Sequence, residues 1–357
     1  MLTAAIRKES RITVILIGLG IAALLAFLIA LSIGQVTIPI GDILQIFSSK
    51  IGLTTYESDG VFETVLLKIR FPRLVMTVLI GSALAVSGAA LQGLFRNPLV
   101  EPGLIGVSSG AAVAVVALIV FGSMIIPDQD TVQMNMLRPM IAFAGGLLAT
   151  FMVIKIGEQV GKMNIAVLIL AGVAVNALAG AIMGLIIFYA DENQLRMFTF
   201  WTLGDLSGAT WGSLLIAAPI LILAIVMLLR FQHALNAIAL GESEAYHMGV
   251  DVEKVKKSIV FFSALAVGVS VSLAGIIGFI GLVIPHLIRV MFHSDNRLVM
   301  PASVIGGPLL LILADLASRT LVSPSELPIG VVTALVGAPF FIFLLVRTKR
   351  KQELIIQ

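Results

Sequence analysis

The chain has 357 residues, of which 59% are hydrophobic and only 12% charged, with a mean hydropathy of +1.09. An ordinary soluble domain carries about 25% charged residues, so the composition excludes a soluble enzyme and indicates an integral membrane protein. The net charge of +3 is dispersed along the chain, which argues against nucleic acid as a partner, and with no cysteine there are no disulfides or thiolate metal sites.

Arg7, Lys8 and Arg11 precede an apolar run from Ile12 to Ile33. That run is longer than the core of a signal peptide and lacks a small-x-small cleavage site, so it reads as a first transmembrane helix. Further spans of about 20 apolar residues are expected at 74–91, 103–121, 137–156, 165–190, 211–229, 298–317 and 329–346. The stretch from Ser258 to Ile288 is too long for one untilted helix. Basic residues at both chain ends ask for the same, cytoplasmic side, so the number of crossings is even and this stretch supplies two. Gly275 and Gly278 offer the turn, and Pro285 ends or kinks the second helix. The expected fold is therefore all-α and polytopic, with about ten transmembrane helices in one domain over residues 1–357.

In this topology only seven of the 23 Lys and Arg residues lie outside: Lys50, Lys68, Arg70, Arg73, Arg138, Arg196 and Arg319. Lys68, Arg70 and Arg73, together with Arg319, read either as snorkelling anchors or as a docking surface for an acidic partner. Arg319 also has Asp315 four residues before it as a helical pairing partner.

On the inner side, Arg96-Asn97-Pro98-Leu99-Val100-Glu101-Pro102 is a forced helix break, because each proline lacks an N–H and restricts the residue before it. Asn97 and Glu101 there either cap helices or gate a watery cavity. Lys155 to Asn164 makes the next inner joint. Its Gly157 and Gly161-Lys162 fail the phosphate-loop pattern, which needs four residues between the glycines and Ser or Thr after the lysine, where this chain has three and then Met163.

In the fifth span Gly172, Asn176, Gly180 and Gly184 recur every four residues and share one helix face. The glycines suit close helix packing, while Asn176 either bonds a neighbouring helix or faces a pathway. Ala190 to Gly212, bounded by Trp201 and Trp211, reads as an interfacial helix and turn that could rim an entrance. Arg230 to Lys257 alternates charged and apolar residues with Gly241 and Gly249 as punctuation. It predicts two short amphipathic helices offering Leu235, Ile238, Leu240, Ala245, Met248 and Val250 to a cytoplasmic protein partner. His286 reads as a structural histidine, and none of the four histidines is spaced as a metal pair. Nucleophile, dyad and metal-site patterns are absent, so no enzyme active site is expected.

Several motifs together carry a family resemblance over nearly the whole chain. RFPR at 70–73, RNPLVEPGLIGVSSG within 88–110, IALGE at 238–242 with AYHMGV at 245–250, GFIGLVIPHLIR at 278–289 and ELPIGVVTALVGAPFF at 326–341 resemble the permeases of the iron-siderophore, haem and vitamin B12 ABC importer family. The resemblance implies a homodimer of ten-helix subunits in the bacterial cytoplasmic membrane, both termini cytoplasmic. It also implies two ATP-binding subunits docked from the cytoplasm, which use ATP and Mg, and an extracytoplasmic binding protein that delivers the ligand. By that resemblance Arg70, Arg73 and Arg319 receive the binding protein, and Asn97, Leu99, Asn164, Ile165 and Ala166 form cytoplasmic gates. Gly241, Glu242, Ala245 and Gly249 couple to the ATPase, and the helix with Gly172, Asn176 and Gly180 lines the pathway. No cofactor is expected on this chain. FTFWTLGDLSGATW at 198–211 resembles the haem branch more than the B12 branch, so haem leads and ferric siderophores or cobalamin follow. A stand-alone secondary transporter would need a charged relay inside the spans, where the sequence shows only Asp315 near an outer end.

Overall fold

A computed structural model describes the backbone of residues 2–53, 60–125 and 131–356, and the side chains of 10–53, 60–122, 137–343 and 346. The basic side chains at 7, 8, 347 and 349–351, on which part of the orientation argument rests, lie outside the described side chains.

Helices α1 (Leu2–Ser32), α2 (Ile40–Lys50) and α3 (Val61–Thr64) lead through a π-helical segment, Val65–Arg70, into α4 (Phe71–Leu94). After a one-turn 3-10 helix at Pro102–Ile105 come α5 (Val107–Ile125) and α6 (Thr131–Gly157). A two-stranded hairpin, β1 (Glu158–Gln159) and β2 (Lys162–Met163), then leads into α7 (Ile165–Phe188). The chain continues as α8 (Glu192–Thr202), α9 (Trp211–Leu229), α10 (Gln232–Leu240) and α11 (Glu242–His247). It ends as α12 (Val252–Ala274), α13 (Ile280–Met291), α14 (Asn296–Thr320) and α15 (Ile329–Ile356). Seven helices are long and apolar enough to cross a membrane. Val107–Gly122, Ile280–Met291 and Ile329–Phe343 are shorter apolar helices, so the apolar helices among the described residues number ten, as many as the spans expected. The stretch 258–288 does supply two of them, divided at Gly275, but α13 runs on through Pro285 to Met291 and is not ended by it.

The core is built around α4, whose apolar window is 83% buried. Lipid gives helices little hydrophobic reason to associate, so close backbone contact has to supply the cohesion. A Cβ on Gly88 would lie 1.8 Å from the Gly281 carbonyl oxygen, and one on Gly307 would lie 2.1 Å from that of Gly81. Those contacts bring α13 and α14 against α4.

Polar groups of α4 then mend the proline breaks of the same two neighbours. Pro308 cannot donate to the Val304 carbonyl one turn back, and Ser82 Oγ donates to it instead at 2.7 Å. Pro285 leaves the Gly281 carbonyl in the same state, and Gln92 Nε2 donates to it at 3.2 Å. Arg289 donates in turn to Gln92 Oε1.

The joints fall at two opposite ends. At one, Arg70 reaches the carbonyls of Leu31 and Val36, Gln35 reaches Pro324, and Trp211 Nε1 donates to the Leu67 carbonyl at 2.9 Å. At the other, Arg96 donates to the Ile238 carbonyl, Lys257 pairs with Glu158, and Asn236 bonds Asp295. We call these the arginine end and the hairpin end. Since α1 finishes and α15 begins at the arginine end, the start of α1 and the finish of α15 point toward the hairpin end.

Candidate functional site

The arginine end differs from the sequence expectation in one physical respect. Arg70, Arg73 and Arg319 are turned inward, exposed by only 4%, 6% and 4%. Arg73 grips Asp315, which is 0% exposed, at 2.8 Å and Glu326 at 2.8 Å, and Arg319 reaches Asp315 at 3.1 Å. Arg70 instead donates to the carbonyls of Leu31, Ser32 and Val36, satisfying the C-terminus of α1. A buried guanidinium is costly unless acceptors face it, and here the carbonyls at the end of α1 and two carboxylates supply them. Of the basic residues in 68–73, Lys68 is the one left exposed.

Between the ends, one face of α7 borders a cavity of ≈ 550 Å³ lined by Asn176, Gly180, Met183, Gly184, Phe198 and others. The small-residue stripe divides in its role. A Cβ on Gly172 would come 1.9 Å from the Leu104 carbonyl oxygen, so Gly172 is a packing residue, whereas Gly180 and Gly184 have nothing within 4 Å and keep the cavity wall low. Asn176 does both things considered for it: it bonds Ser109 and the Gly103 carbonyl while it lines the cavity. α8 rims the same space through Phe198 and Thr202, and its start is fixed by a capping box between Asp191 and Gln194.

Glu101 takes the first of the two roles weighed for it, at the start of a helix distant in the chain: residues 96–106 bring Pro102 against Gly281 and Leu104 against Gly172. Glu101 Oε1 there accepts the Phe279 N–H at 3.1 Å. Phe279 is held at φ +68°, uncommon for a non-glycine residue, at the start of α13. Its carboxylate partner suits a helix N-terminus, where unpaired N–H groups carry partial positive charge. Phe279 and Gly278 line a second, apolar cavity of ≈ 580 Å³ that shares Thr202 and Ile276 with the first. The signal available in the sequence was the glycine spacing at 275–281, which permits an interrupted helix but does not name its partner.

At the hairpin end, of the residues expected to gate, Asn97, Leu99, Asn164 and Ala166 are exposed. Asn97 accepts the Leu99 N–H, Leu99 is exposed, and Asn164 caps α7 by accepting from Ala166 and Val167. Ile165 is partly buried and Ala166 exposed. The two amphipathic helices are α10 and α11, with corners at Gly241 (φ +148°) and Gly249 (φ +83°) as glycine permits. Their apolar residues do not share one outward face: Leu235, Ile238 and Ala245 are 0% exposed, inside the chain's own core. Leu240, Tyr246 and Met248 form the exposed set, at 70%, 72% and 63%. Glu242 is exposed beside them. Nearby, the Lys257 ammonium hydrogen-bonds Glu158 and holds that carboxyl below its ordinary range. Among the described residues no group of three or more His, Asp or Glu side chains could hold a metal.

Residues 21–347 match the model of the FecCD transport family. The hemin transport system permease protein HmuU of Yersinia pestis is 40% identical over 299 residues, covering 84% of this chain and 88% of that protein. The vitamin B12 import system permease protein BtuC of Klebsiella pneumoniae is 38% identical over 349 residues, 98% of each chain. A solved structure of an inward-facing metal-chelate type ABC transporter superposes with a TM-score of 0.79 at 30% identity, covering 93% of this chain and 99% of that one. The apolar helices and this coverage agree, and the chain belongs to the FecCD transport family as a multi-pass membrane permease of an ABC importer, a transport subunit and not the ATP-hydrolysing one.

Proposed function

We propose that this permease imports an iron chelate, haem foremost, through a pathway enclosed between two copies of the chain in a bacterial cytoplasmic membrane. The observation that carries the reading is the cavity beside α7. It is mostly apolar, floored by the small residues Gly180 and Gly184, and supplied with polar groups only by Asn176, Ser108, Ser109 and Thr202. Such a wall suits a large, flat, largely apolar ligand and offers no histidine to hold it. Weak holding favours passage, so the selectivity is assigned to the binding protein.

The hairpin end faces the cytoplasm with both termini. Two ATP-binding subunits engage Leu240, Tyr246 and Met248 around Gly241, Glu242, Ala245 and Gly249, an apolar patch that water would not otherwise favour. The binding protein delivers at the arginine end, on the surface that Arg70, Arg73 and Arg319 hold in shape from beneath. Asn97, Leu99, Asn164, Ile165 and Ala166 close the pathway toward the cytoplasm. The permease itself carries no cofactor.

The test is uptake into proteoliposomes holding this chain and its ATP-binding subunit, with the binding protein supplied outside. ATP-dependent haem uptake supports the reading. Uptake of cobalamin or a ferric siderophore with none of haem would replace the substrate.

A further inference from the structure

Lys256 is nearly buried, its side chain 4% exposed, in the first two turns of α12. An ammonium has three N–H donors, and here each has a separate acceptor. They are Glu242 Oε2 at 2.7 Å, Glu253 Oε1 at 3.1 Å and the Met163 carbonyl oxygen at 3.2 Å. Glu253 closes the loop by accepting the Met163 N–H on its other oxygen at 2.7 Å. Thus both main-chain groups of Met163 are held by side chains of α12, and the same lysine holds the first turn of α11.

A second lysine, Lys257, also pairs α12 with Glu158 of the hairpin, but Lys256 is the one that reaches α11 as well. Met163 ends β2 and directly precedes Asn164, the cap of α7. Glu242 follows Gly241, whose φ of +148° no other residue adopts readily, so the entry to α11 is a corner set by a single glycine. A lysine needed only to stabilise α12 would be satisfied by Glu253, one turn before it. Burying an ammonium is costly, and an apolar side chain of the same length is often as stable in such a position. The convergence of acceptors from β2 and α11 is what the charge adds.

We propose that Lys256 is a positioning residue that ties the Gly241–Glu242 corner to the β1–β2 hairpin, so that movement imposed on α11 reaches Met163 and the capped start of α7. What moves α11 rests on the proposed function; the tether itself does not.

Because the chain has no cysteine, single pairs of thiols can be introduced without background. Spin labels at Val160, at the hairpin tip, and Tyr246, on α11, are both on exposed positions. With the labelled chain diluted into unlabelled chain in lipid nanodiscs, so that only the separation within one copy is read, it should form one narrow distribution, and Lys256→Met should broaden it. An equally narrow distribution in the variant overturns the tether. In the assembled importer, Lys256→Met should keep the ATP-binding subunit bound and hydrolysing while transport per ATP falls about tenfold, a coupling loss within the ordinary range for linked sites. Unchanged transport per ATP overturns the relay. Lys256→Arg, which can still bridge both carboxylates, should restore most of the yield. A merely structural role would lower assembly and ATPase together instead. Should Lys256→Met not accumulate in the membrane, Glu253→Gln carries both readouts, because it weakens the same node at a half-buried side chain outside the patch assigned to the ATP-binding subunit. If the unaltered chain assembles with no ATP-binding subunit, the proposed function fails while the label distances still decide the tether.

Discussion

The two ends of the molecule reverse what their residue types suggest. At the arginine end cations point inward and are answered by Asp315, Glu326 and the last carbonyls of α1. At the hairpin end Leu240, Tyr246 and Met248 point outward and stay largely exposed. One end is complete in itself and the other is complementary to something else. The physical reason is local supply: a buried charge persists only where the fold brings it partners, whereas an exposed apolar patch marks a surface that another molecule can cover.

The strongest way to break this comparison is Asp315→Ala. It removes the shared partner of Arg73 and Arg319 and leaves two buried cations facing one another, which should cost about 3–5 kcal/mol. A large fall in the unfolding temperature of the detergent-solubilised protein would show it, and a small one would mean that the arginine end is not self-contained. Leu240→Asp tests the opposite end. It should leave the unfolding temperature unchanged and abolish copurification with the ATP-binding subunit, a loss of about 2 kcal/mol or more as expected for a central apolar contact. A coincident loss of stability would place Leu240 in the core instead.

Between the ends, Glu101→Ala removes the acceptor of the Phe279 N–H and should cost about 1–2 kcal/mol of stability, the range for losing a helix cap. The sharper readout is access: a label at Gly278 should become more reactive toward a water-soluble reagent. The smallest effect belongs to Asp251, which caps α12 and pairs with Lys254, so that its carboxyl titrates below its ordinary 3.8. A lowered carboxylate stabilises the folded form above 3.8 and loses that contribution as pH falls through the lowered value. Hydrogen exchange at the start of α12 should therefore quicken only in that acid window, while the arginine end stays unchanged.

By themselves the residues determined the broad frame. Apolar runs of membrane length, glycine at 241, 249 and 275, and the prolines at 98 and 102 set ten helices and most of their breaks, because span length and missing N–H groups are local properties. The division of 258–288 and the pair α10 and α11 were legible for the same reason. Direction was not. Whether Arg70 faced water or the end of α1, whether Ile238 faced the cytoplasm or the core, and how far Glu101 reached all depended on helices distant in the chain. Gln92 and Ser82 likewise show their use only when α13 and α14 lie against α4, since the carbonyls freed by Pro285 and Pro308 have no partner within their own helices. Hydrogen-bond supply in a membrane is a tertiary quantity, and it decided where each polar side chain could point.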